Sequence, residues 1–132
     1  MSVQSLKPFQ DQVSDVLIRH RSLLDVMSKF SQTNAAVNRA VTKAITECGC
    51  IRVEADKQPY YDPDLTPAQL RLLASTHVKG ELCESCMENV VKELGRNLFY
   101  MSALGCLLRI NLDDVLDHEM KKMQTLGFFN MS

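Results

Sequence analysis

Five cysteines carry the clearest chemistry in this chain of 132 residues, and four of them form two close pairs. Cys48 and Cys50 flank a single glycine, whereas Cys83 and Cys86 are separated by two residues. Each pair supplies two thiolates from one short piece of backbone, which is how proteins build tetrahedral thiolate sites. The sequence therefore predicts a metal site with four cysteine ligands, and zinc is the expected ion because it is tetrahedral and redox-silent.

Other roles for these thiols stay open at the level of sequence. An iron–sulfur cluster also takes four cysteines, and unligated cysteines are often small buried residues or redox-active thiols. His77 lies just before the second pair and is an alternative ligand, although a histidine in a turn is the more ordinary interpretation. Cys106 stands in the apolar run 104–108 and is expected in the core.

Composition is that of a single globular domain, residues 1–132. Hydrophobic residues make up 45% and charged residues 23% of the chain, and the net charge is −1. No basic run suggests binding to nucleic acid, and no apolar stretch suits a membrane span or a signal peptide. We therefore expect a cytoplasmic protein, in which cysteine pairs favour a metal site over disulfides.

Hydrophobic periodicity predicts four main helices and hence an all-α, four-helix bundle. The first helix is expected from about Leu6 to Phe30, with a break at residues 31–33. The second should end at Gly49, which suits the position after a helix. A long loop then separates the second main helix from the third.

Within and after this loop, shorter signals appear. Residues 51–53 suggest a brief extended segment, Thr66-Pro67 is typical of a helix start, and residues 77–80 are expected to form a turn. The third main helix should begin near residues 81–83, and Asn111 is expected to cap the last one. A single ion on the four thiols would thus join the ends of the second and third helices and close the loop.

The segment from Lys92 to Met101, followed by Ala103-Leu104 and by residues 110–115, resembles the MazG-like all-α nucleoside triphosphate pyrophosphohydrolases. That family has a Glu-Leu-Gly-Asp helix, a short capped turn and a final helix that starts with acidic residues. The resemblance covers the two C-terminal helices, and the first two only in layout. It implies a helical fold that assembles as a homodimer or tetramer, and a possible nucleotide ligand.

The resemblance also implies a Mg²⁺ site built from clustered carboxylates, and this chain departs from it. Glu93 matches a family glutamate, but Arg96 stands at the aspartate position, where a cation cannot bind Mg²⁺. The second helix carries Asn38, Arg39 and Thr42 where the family places its acidic pair. These replacements argue against the usual catalysis.

Three functional hypotheses follow. The preferred one is a non-catalytic, MazG-like protein with a structural zinc site that acts through binding or assembly. The second is an active Mg²⁺-dependent pyrophosphohydrolase with an altered acidic set. Its residues would be Glu47, Glu84, Glu88 and Glu93. The third is a redox or metal sensor that uses the four cysteines. Arg39 and Arg96 are candidate phosphate contacts, although a solvated face or a pairing with Glu93 is the simpler role.

Overall fold

The computed structural model describes residues 5–17 and 21–126. The sequence also predicts that the apolar tail at residues 126–129 docks on the rest of the protein, and all of this tail except residue 126 lies outside these ranges. The described chain is mostly helical, with one two-stranded sheet. In chain order its elements are α1 (Lys7–Val16), α2 (Leu23–Lys43), a π-helical turn (Ala44–Cys48), β1 (Ile51–Val53), a 3-10 turn (Pro59–Tyr61), α3 (Pro67–Leu73), β2 (Val78–Gly80), α4 (Glu84–Leu108) and α5 (Leu112–Leu126).

The first break in the helical pattern lies earlier than the sequence predicts. The helix α1 ends at Val16, and α2 begins after Ser22, whose backbone is extended. The predicted break at residues 31–33 is wrong, since these residues lie inside α2. Thr33 is buried there, and its hydroxyl donates to the carbonyl of Phe30 rather than capping a helix.

The helices α2 and α4 pack against each other and run antiparallel. In the middle of the pair, the Asn97 side-chain amide donates to the Thr33 hydroxyl at 3.1 Å and to the side-chain oxygen of Asn34. At one end, the sulfur atoms of Cys48 and Cys83 lie 3.7 Å apart. This antiparallel pair is the frame on which the rest of the chain is arranged.

The hydrophobic core lies towards the opposite end of this pair, where α1 joins it. Val13 and Leu17 pack there with Val26 of α2 and Ala103 of α4. Half-buried side chains surround this cluster, among them Phe9 and Phe99. Further buried apolar residues, Ala44, Ile51 and Val90, lie towards the other end of the pair.

Gln10 of α1 fixes the turn between α4 and α5. Its amide nitrogen donates to the carbonyl of Ile110 at 2.8 Å, and its amide oxygen accepts from the N–H of Leu112 at 3.0 Å. Asn111 caps α5 as predicted, because its side-chain oxygen accepts from the N–H of Asp113 at 2.9 Å. Both contacts satisfy backbone groups that the helix ends leave without partners.

The segment between α2 and α4 contains more structure than the predicted loop. Residues 51–53 form the expected extended segment, which is β1. The predicted turn at residues 77–80 is wrong, because Val78–Gly80 is β2 and pairs antiparallel with β1. Thr66 starts α3 as expected, in a reciprocal capping arrangement with Gln69.

We predict that Gln10→Ala destabilises the protein by about 1–3 kcal/mol, because it leaves the buried Leu112 N–H and the Ile110 carbonyl without a partner. Gln12→Ala is the matched control, since Gln12 lies exposed on the same helix. Urea unfolding followed by circular dichroism measures both variants. Equal midpoints for the two variants would contradict the role given to Gln10.

Candidate metal centre

The first cysteine pair is positioned by the end of α2. Its last turn widens into the π-helical turn Ala44–Cys48 and stops at Gly49, whose φ is +79°. The N–H of Gly49 closes this turn by donating to the carbonyl of Ala44 at 2.9 Å. A left-handed backbone at this point is easiest for glycine, and it lets Cys48 and Cys50 flank a sharp change of chain direction.

The strand pair brings the second cysteine pair alongside the first. Ile51, directly after Cys50, is in register with Gly80. Gly80 has a φ of +86°, and a Cβ built on it would lie 2.4 Å from the carbonyl oxygen of Cys50. Only glycine allows these two backbones to approach so closely, so Gly80 sets the distance at which the segment before α4 passes Cys50.

The start of α4 presents the second pair. Cys83 is the N-cap residue, and its sulfur accepts a hydrogen bond from the N–H of Cys86 at 3.4 Å. Cys86 lies in the first turn of the helix, where the helix dipole favours negative charge. The environment of Cys83 therefore stabilises its thiolate.

The four thiols meet. The sulfur atoms of Cys48, Cys50, Cys83 and Cys86 all lie within 4.8 Å of one another. In a regular tetrahedron with Zn–S bonds of about 2.3 Å, sulfur atoms are about 3.8 Å apart. The 3.7 Å between Cys48 and Cys83 matches this spacing. The site therefore has the donor atoms and the dimensions to bind a metal ion such as zinc.

The thiols influence one another's protonation. The backbone N–H of Cys86 lowers the pKa of Cys83 to about 7, helped by hydrogen bonds with the neighbouring thiols. The pKa of Cys86 is raised to about 12, chiefly because it hydrogen-bonds to the Cys83 sulfur. For Cys48, the Cys50 N–H lowers the pKa, but contacts that include the Cys83 thiol raise it overall. The Cys83 sulfur thus becomes charged more readily than the sulfurs of Cys48 and Cys86, whose protons a bound cation would displace.

The remaining candidate ligands lie apart from this cluster. Cys106 is half-buried, and its thiol contacts the carbonyl oxygen of Gln10 at 3.6 Å. His77 immediately precedes β2 with a φ of 60°, and its buried Nε2 has no hydrogen-bond partner among the described residues. Neither side chain belongs to the group of four sulfur atoms.

The predicted acidic set is divided by the fold. Glu47 and Glu93 line a groove of about 510 Å³ between α2 and α4, which we call the polar groove, together with Arg39, Lys43 and Asn89. Glu84 and Glu88 do not line it. In the described part of the chain, no three carboxylates converge as the four thiols do.

Arg96 pairs with a carboxylate instead of facing the groove. Its guanidinium lies 3.3 Å from the Glu93 carboxylate one turn away, and the Glu93 side chain is 18% exposed. The simpler role predicted for Arg96, as a partner of Glu93, is confirmed. Arg39 is the one of the two candidate phosphate contacts that lines the polar groove.

Sequence reasoning found the four thiols but missed the glycine that brings them together. The sequence predicts Gly80 only as the last residue of a turn, and nothing local indicates that it controls the distance between the two cysteine pairs.

Comparisons with models of known protein families, with curated proteins and with solved structures find no match for this chain. None of the helices in the described ranges is long and apolar enough to cross a membrane.

We predict that Gly80→Asn weakens metal binding and destabilises the fold by about 1–3 kcal/mol, because its side chain would overlap the Cys50 carbonyl. Gly49→Asn is the matched control, since its φ is similar but no atom lies within 4 Å of a Cβ there. Asparagine tolerates a left-handed backbone, so the pair separates crowding from backbone strain. Thermal unfolding and zinc content test this, and equal losses in both variants would refute it.

Proposed function

We propose that this chain is a non-catalytic, MazG-like helical protein in which a structural zinc site with four cysteine ligands holds the helices α2 and α4 together, and that it acts through binding or assembly. The observation that carries this proposal is the convergence of four thiols from two distant segments within 4.8 Å. Sulfur ligands in a tetrahedral arrangement favour zinc among the common divalent ions.

A structural role fits the place of the site in the fold. The apolar cluster of Val13, Leu17, Val26 and Ala103 lies at the α1 end of the pair. The thiols lie at the other end, where α2 finishes and α4 starts. Cys48 and Cys83 are 35 residues apart, so a bound ion closes a long loop. Metal binding would thus add stability at this end to that from buried residues such as Ala44 and Val90.

The contacts of Arg96 support a non-catalytic protein. A guanidinium cannot bind Mg²⁺, and here it neutralises the one glutamate that matches the resemblance. Arg39 and Lys43 also line the polar groove, so cations accompany the two acidic side chains there. Such a groove attracts anions more readily than it holds a divalent cation.

Two alternative functions each have one observation in their favour. The polar groove, with Glu47 and Glu93 on facing helices, favours a pyrophosphohydrolase or a nucleotide-binding site. The exposure of Cys48 favours a sensor, because an accessible thiol reacts with oxidants or exchanges its metal. The experiments below distinguish the enzyme from the structural role.

We predict one zinc ion per chain, with Cys83→Ser and Cys86→Ser losing the metal and lowering the melting temperature by about 10 °C or more, because metal binding is coupled to folding. Cys106→Ser is the control, since Cys106 lies outside the cluster, and it should keep its zinc. Elemental analysis and calorimetry measure both quantities.

Three results would contradict this proposal. Unchanged melting temperatures in both cysteine variants would exclude a structural metal. Iron with acid-labile sulfide in place of zinc would indicate a cluster. Release of pyrophosphate from nucleoside triphosphates with Mg²⁺ or Mn²⁺, abolished by Glu93→Ala, would show that the protein is an enzyme.

A further inference from the structure

The polar groove opens onto the metal centre. Its lining runs from Ala36 to Cys48 along α2 and from Glu93 back to Cys86 along α4, so two of the four thiols lie at its end. Cys48 is the exposed member of the four, and the other three are half-buried. A molecule in the groove therefore reaches the sulfur of Cys48 without any opening of the fold.

The groove has the space and the charge for a small molecule that carries negative groups. Its α2 wall contains Ala36, Ala40 and Ala44, whose short side chains leave a volume of about 510 Å³. Arg39 and Lys43 stand on the same wall. Neither cation takes part in an ion pair in the described part of the chain, so both are available to an anion.

The acidic side chains of the groove do not cancel this positive charge. Glu93 on the opposite wall is already paired with Arg96, at 3.3 Å. The other carboxylate in the groove belongs to Glu47, which directly precedes Cys48. Two unpaired cations beside one such carboxylate favour a ligand with more negative than positive groups.

We propose that the polar groove binds an anionic low-molecular-weight disulfide, that Cys48 exchanges with it, and that Cys83 completes the exchange so that the zinc ion is released. The carboxylates of the disulfide contact Arg39 and Lys43, and its sulfur atoms face Cys48. This inference rests on the proposed function and deepens it, because it assigns a redox response to the same metal centre.

The reaction balances over two exchanges. The Cys48 thiolate attacks one sulfur of the bound disulfide, forms a mixed disulfide and expels the other half as a thiolate. The Cys83 sulfur, 3.7 Å from that of Cys48, then attacks the Cys48 sulfur and expels the second thiolate. The two cysteines lose two electrons, which the small disulfide gains. Only Cys50 and Cys86 then remain as ligands for zinc, and two thiolates hold the ion less tightly than four.

The new disulfide preserves the connection that the metal supplied. Cys48 and Cys83 are 35 residues apart, so a bond between them closes the same loop between α2 and α4. Because an S–S bond is about 2.05 Å long, the two sulfur atoms have to come closer by less than about 2 Å. Oxidation thus removes the zinc without separating the ends of the two helices. A structural role and a redox response are compatible for this reason.

Zinc release from the purified, zinc-loaded chain tests the proposal, with a chromogenic chelator as the readout. Glutathione disulfide, which is anionic, should release the zinc, and peptide mapping of the product should find Cys48 linked to Cys83. The double variant Arg39→Gln, Lys43→Gln should lower the ratio of the rates with glutathione disulfide and with neutral hydroxyethyl disulfide about tenfold. Lys92→Gln is the matched control, since Lys92 is an exposed cation of α4 outside the groove, and its ratio should equal that of the wild type.

The melting temperature provides a second measurement. The oxidised, zinc-free protein should melt about 5 °C or more above the reduced, zinc-free protein, because the disulfide keeps the loop closed. An unchanged rate ratio in the double variant would overturn the proposal, as would zinc that stays bound in excess glutathione disulfide. A product without the bond between Cys48 and Cys83 would also overturn it. Each of these results leaves the structural zinc site intact, whereas a protein purified without zinc would refute the proposed function itself.

Discussion

Holding four sulfur atoms within 4.8 Å of one another costs free energy unless a cation lies among them. Neighbouring thiolates repel, and without a cation the Cys86 thiol keeps its proton, because its hydrogen bond to the Cys83 sulfur raises its pKa. A divalent cation turns this repulsion into attraction and binds all four sulfurs at once. The turn at Gly49, the register at Gly80 and the N-cap at Cys83 all serve this convergence.

The two ends and the two sides of the α2–α4 pair carry different groups of side chains. One end carries the apolar cluster with α1, and the other carries the thiols. One side carries the polar groove, where Arg39 and Glu93 lie, and the other exposes apolar side chains such as Leu94 and Leu98. A metal ion that fixes the spacing of α2 and α4 at one end would also constrain the shape of both sides.

Local signals made part of this structure predictable. The cysteine pairs, the helix stop at Gly49 and the cap at Thr66 each depend on a few adjacent residues, and all are where the sequence indicates. Features that depend on distant residues were missed. The strand pairing of Val53 with Val78 is one, because nothing local specifies its register. The helical period of α4 likewise does not tell buried Val90 from exposed Val91.

Zinc-edge X-ray absorption on the purified full chain shows directly whether the four thiols hold a zinc ion. We predict a first shell of four sulfur atoms at about 2.3 Å, because we assign the thiols of Cys48, Cys50, Cys83 and Cys86 as the ligands. Replacing Cys50 by serine should change that shell, whereas replacing Cys106 should not. A shell dominated by nitrogen or oxygen, or a protein purified in zinc-containing medium without bound zinc, would contradict it.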